Sequence, residues 1–179
     1  MPEITRTLRM SDHRRFRSVS LHLFFIALAA ALLYSRLSES IALRASSLGA
    51  GDVLAPLTRV DLAAHDRNLL IVVRSGCKVA EDSMGFYREL AQLAAAGATR
   101  AGIAAILPDN ETVSRNLLRI HGLDVPAVPG VALSSLKLHW TPTLVLADRR
   151  GVVLKLWEGQ LSASAQAEVL SAIGVSQAR

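Results

Sequence analysis

Apolar positions along this chain come in two kinds of run. Residues 19–34 form one block of sixteen with no Lys, Arg, Asp or Glu. Further on, short aliphatic runs alternate with stretches in which apolar residues recur every three or four positions. Leu70 to Val73 reads as a strand buried on both faces, broken by Arg74, Ser75 and Gly76. From Lys78 the period is helical, with Met84, Tyr87, Leu90, Ala91 and Ala94 on one face, and Gly97 stops the helix near residue 96. A second strand is expected over 100–107 and a helix over 111–121, carrying Val113, Leu117, Leu118 and Ile120 and closed by Gly122. Strand, helix, strand, helix is the signature of parallel βαβ units. Residues 125–138, punctuated by Pro126 and Pro129, give no assignable pattern. Two apolar runs, 144–147 and 152–157, flank the turn Asp148-Arg149-Arg150-Gly151 and predict an antiparallel hairpin. A last helix over 162–173 turns Ala165, Val169, Leu170 and Ile173 inward and ends at Gly174.

The block at 19–34 is shorter than the roughly 20 residues that span a bilayer core, so an export-signal segment competes with a membrane anchor. Either one exports the remainder of the chain. We read residues 19–35 as an uncleaved single-pass transmembrane helix. Residues 1–18 become a cytoplasmic basic tail, because arginines just before the segment hold it inside. Residues 36–65 then form a tether and lead-in that orders near 53–62, and the folded domain occupies 66–179. The expected location is the inner (cytoplasmic) membrane, with the domain on the periplasmic or extracytoplasmic side.

Charge adds little. The formal net charge is +5. Five arginines against Glu3 and Asp12 put +3 of it in residues 1–18 and leave +2 for the other 161. The high isoelectric point is thus partly a property of the tail and is poor evidence for nucleic-acid binding. A hydrophobic fraction of 51% fits a folded core with an added apolar segment.

The candidate chemistry lies at the first strand–helix junction. Cys77 is the one cysteine of the chain, so any disulfide must be made with another molecule. A cysteine opening a helix meets unpaired N–H groups and the positive end of the helix dipole, which with Lys78 favour the thiolate. Glu81 and Asp82 oppose that effect by repulsion. The bland alternative is a small buried apolar side chain. His13, His22, His65 and His121 show no ligand spacing, and a soft-metal site using His139 would have one thiolate and lack a ligand. No metal and no cofactor is expected.

Two motifs carry a family resemblance. Ser75-Gly76-Cys77-Lys78-Val79-Ala80 stands where thioredoxin-like proteins have their Cys-x-x-Cys, and Trp140-Thr141-Pro142-Thr143-Leu144-Val145-Leu146-Ala147-Asp148 matches their cis-proline loop and following strand. With the N-terminal segment, the chain resembles the membrane-tethered thioredoxin-like proteins of bacterial envelopes. The resemblance implies a three-layer α/β fold, a mixed central sheet flanked by helices. It also implies Cys77 as the attacking sulfur and Thr141, Pro142 and Trp140 as the substrate-binding loop, with Thr141 brought beside Cys77 if Pro142 is cis.

Ala80 departs from the pattern, standing where the family has the second cysteine that resolves the mixed disulfide. An adduct on Cys77 would persist until an outside thiol released it. The expected function is therefore an envelope thiol–disulfide protein of weak or monothiol activity, whose partners are exported thiol or disulfide proteins or small thiols. Whether it is an enzyme stays open. The alternatives are a tethered, non-catalytic binding or scaffold module and a homodimer linked through Cys77.

Overall fold

The computed structural model describes Ile26, residues 28–34 and residues 47–175. The expectations for residues 1–18, for much of 19–35 and for 36–46 fall outside the described residues. Met1–Ser46 and Ser47–Arg179 form separate compact units. In the first, 28–34 is helical and exposed. No helix among the described residues is long and apolar enough to cross a membrane.

The second unit is built on five strands, β1 (Arg67–Val72), β2 (Gly102–Leu107), β3 (Ala127–Pro129), β4 (Thr143–Asp148) and β5 (Val153–Glu158), in the order β3-β2-β1-β4-β5. β1 is parallel to β2 and β2 to β3, while β4 runs antiparallel to β1 and β5 to β4. Two α-helices connect strands, α1 (Lys78–Ala95) between β1 and β2 and α2 (Glu111–His121) between β2 and β3, and a third, α3 (Ala163–Ala172), follows β5. The expected mixed sheet and helix order are thus present. Local signals explain the helix bounds. Asn110 and Ser162 cap α2 and α3 by accepting from the N–H groups of Val113 and Ala165, and α2 ends on Gly122 in the left-handed conformation.

The two faces of the sheet are covered differently. Leu69, Ile71, Ile103, Ala105, Leu144 and Leu146 pack against Met84, Tyr87 and Leu90 of α1, Leu118 of α2 and Val169 of α3. On the other face, Leu70, Val72, Ala104, Ile106, Val145 and Ala147 meet Leu54, Leu136 and Leu138. Among the described residues no α-helix contributes to this second cluster, so α-helices flank the sheet on one face, and the expectation of a helical layer on the second face is corrected. The reason is topological. Both βαβ crossovers step the same way, from β1 to β2 to β3, and right-handed crossovers in one direction place their helices on one face. The chain must then return past β1 to reach β4, and residues 130–142 make that passage, including a short 3-10 turn at Leu133–Leu136.

Residues 47–65, expected as tether and lead-in, are packed onto this unit. Val53 bridges Val152, Leu54 is buried, and a 3-10 turn at Leu62–Ala64 leads into β1. The hairpin of β4 and β5 carries a register shift at Leu146/Ala147. Its Trp157 is buried, donates to the Glu168 carboxylate at 3.0 Å, and lies under the Lys155 ammonium at 5.4 Å.

Tyr87 gives the core a pH dependence. Burial pushes its phenol up to about 12, offset in part by Ser83. A phenol raised above its unfolded value near 10 contributes stability that is whole below that value and lost as pH climbs to the folded value. Chemical denaturation should therefore show a loss of about 2–3 kcal/mol between pH 10 and 12 that Tyr87→Phe abolishes. An unchanged slope in Tyr87→Phe would contradict this assignment.

Candidate active site

Cys77 is the N-cap of α1, held in extended backbone geometry. It reaches that place because β1, buried from Asn68 onward, ends at the sheet edge and the chain turns through Ser75 and Gly76, the latter at φ 68°. Its side chain makes no capping hydrogen bond. Instead Sγ donates to the carbonyl oxygen of Thr141 at 3.4 Å. The thiol is half-buried, between the open solvent side and the first core cluster.

The facing loop is well anchored. The Thr141–Pro142 peptide is cis, Pro142 is buried, and its carbonyl accepts from Gly159 N at 2.8 Å. Thr143, 1% exposed, donates its hydroxyl hydrogen to the Trp140 carbonyl at 2.9 Å. Trp140 itself is 69% exposed, an unusual setting for a large aromatic and one that leaves its ring free for a partner. His139 beside it is also exposed.

The structure thus brings Cys77 and Thr141 together, with Pro142 and Trp140 on the same loop. Lys78 goes elsewhere. Its ammonium pairs with Asp82 one turn along α1, on the exposed side, and the pairing raises the lysine pKa. An ion pair this exposed contributes little. Its charge is shared with one of the two acids expected to oppose it. Ala80 is fully buried three residues after Cys77 and carries no group able to react.

Asp109, between β2 and α2, is a participant outside the candidate residues drawn from the sequence. Its carboxylate accepts from Ser75 N at 2.7 Å and from Ser75 Oγ at 3.0 Å, tying the β2–α2 loop to the loop that carries Cys77. A signal was available: adjacent parallel strands end at one edge of the sheet, so a short acid after β2 can reach the loop after β1.

No protein-family model and no curated protein sequence matches the chain. Solved structures do. A candidate thiol:disulfide interchange protein DsbE from Chlorobium tepidum superposes with a TM-score of 0.57 at 20% identity, covering 72% of this chain and 100% of that one. The thioredoxin domain of a thiol-disulfide oxidoreductase from Bacteroides vulgatus gives 0.56 at 16% identity, over 73% and 100%. A thiol:disulfide interchange protein from a Bacteroides species gives 0.55 at 15%, over 73% and 93%. At these identities the likeness is one of fold, and the fold is thioredoxin-like.

Proposed function

We propose that the chain is a thiol–disulfide exchange protein that works through one sulfur. The observation that carries this is Cys77 at the start of α1, half-buried, with Sγ 3.4 Å from the Thr141 carbonyl. In the reaction, the Cys77 thiolate attacks a sulfur of a partner disulfide. A Cys77–partner S–S bond forms, the partner's own S–S bond breaks, and the departing thiolate takes up a proton. With Ala80 at the resolving position, a second, external thiol must attack the adduct to free Cys77. Thr141 and Trp140 offer an extended partner segment a main-chain edge and an exposed ring. The family resemblance and the N-terminal apolar block support an extracytoplasmic, membrane-tethered setting, with exported proteins or small thiols as partners. Lys78 would tune the thiolate only by its charge at short range.

A second reading rests on Ala80: a thioredoxin-like module that binds partners without exchanging disulfides. Reaction of the full chain with neutral dipyridyl disulfide separates the two. Exchange predicts that folded Cys77 reacts at least as fast as in the urea-unfolded chain. A folded rate about a hundredfold lower, the mark of a shielded structural thiol, would favour the binding module.

A further inference from the structure

We propose that Asp109 is a positioning residue for Cys77, acting through Ser75. The inference rests on the reading of Cys77 as the attacking sulfur. Asp109 is itself fixed through its backbone carbonyl by two hydrogen bonds. Its backbone carbonyl accepts from Gly130 N at 2.8 Å, beyond the end of β3, and from the hydroxyl of Ser114 of α2 at 3.1 Å, with Ser114 2% exposed. Its neighbour Asn110 caps α2, so the Asp109 carboxylate is not needed for that task. Both carboxylate oxygens go to one residue, Ser75, through its N–H and its hydroxyl. Hydrogen bonds to a carboxylate are the stronger kind, and a forked pair fixes direction as well as distance.

Only Gly76 separates Ser75 from Cys77. It sits at φ 68°, with no atom beyond its chain neighbours within 4 Å of where a Cβ would be. Gly76 is exposed, and glycine is the residue with the widest choice of backbone angles. Cys77 is therefore held from its C-terminal side by α1 and from its N-terminal side by the Ser75 clamp. Without the clamp the Ser75–Gly76 pair is free to turn, and Sγ loses its fixed place opposite Thr141. Geometry of this kind costs rate when it loosens.

The test measures the second-order rate of the folded full-length chain with dipyridyl disulfide across pH, together with thermal midpoints. Asp109→Ala should lower the rate about tenfold. Asp109→Asn, which keeps an acceptor for Ser75 N and offers an amide hydrogen to Ser75 Oγ, should recover most of it. Ser75→Ala keeps the backbone bond and should lower the rate about threefold. It carries the test should Asp109→Ala not fold. The double variant should be no slower than Asp109→Ala, because both changes break one link. A lower thermal midpoint with an unchanged rate and pH profile in Asp109→Ala or Ser75→Ala would overturn the clamp and leave the exchange reading standing. A wild-type chain inert while folded would instead overturn the exchange reading and the clamp with it.

Discussion

Cys77→Ser is expected to fold more tightly than the wild type while losing all covalent capture of disulfides. Cys77 occupies the N-cap of α1 and gives that helix no side-chain hydrogen bond, its Sγ being turned to Thr141. Serine is among the preferred N-cap residues because its oxygen accepts from an N–H of the first turn, a gain of about 1 kcal/mol. The substitution should therefore raise the thermal midpoint by a few degrees. A residue kept at a capping position where it does not cap is the pattern of stability given up for reactivity. Thermal unfolding followed by circular dichroism, paired with capture on a disulfide resin, checks both halves. Unchanged capture by Cys77→Ser would show that binding is not covalent and would support the binding-module reading.

Ala80→Cys is expected to turn a one-step protein into a two-step one. Residues three apart on a helix face have Cβ atoms about 5–6 Å apart, and a disulfide needs them about 4 Å apart, a closure that the first turn can accommodate. A thiol at residue 80 would be tethered beside any adduct on Cys77. It would attack the Cys77 sulfur, form a 77–80 disulfide and release the partner as a thiol. Tethering raises the effective concentration of the attacking group so far that the adduct lifetime should fall at least a hundredfold relative to about a millimolar external thiol. Ala80 is fully buried, so the added sulfur is also expected to cost about 1–3 kcal/mol in the reduced state. Mass spectrometry of the adduct over time checks the first point and denaturation of the reduced variant the second. An adduct as long-lived in Ala80→Cys as in the wild type would mean that residue 80 does not face Cys77.

Much of this site could be read from residue patterns. β1 and α1 were legible because burial on both faces leaves an uninterrupted aliphatic run and burial of one helix stripe leaves a three- and four-residue period. Their junction located Cys77, and the Thr141-Pro142-Thr143 motif located the loop that meets it. β3 was not legible, because three residues ending in Pro129 at a sheet edge are too few to show a period. The covering of the second face by residues 47–62 and 133–138 was hidden for a similar reason. Its buried positions, Leu54, Leu136 and Leu138, lie in irregular chain whose spacing follows no repeat. Lys78 was placed by proximity in sequence, yet on a helix its long side chain finds the acid one turn on. The Asp109 clamp joins two loops separated by 34 positions; the βαβ pattern brings both to one sheet edge, and the strand order that makes β1 and β2 neighbours sets the pairing.

Exchange through a single sulfur is decided by the fate of an adduct on Cys77. The full-length chain is treated with a disulfide-containing peptide, freed of excess reagent, and its intact mass followed with and without added thiol. One peptide should bind per chain through Cys77, stay bound for as long as no thiol is present and leave when thiol is added. Failure of the folded chain to form the adduct, or its loss in the absence of added thiol, would contradict exchange of this kind.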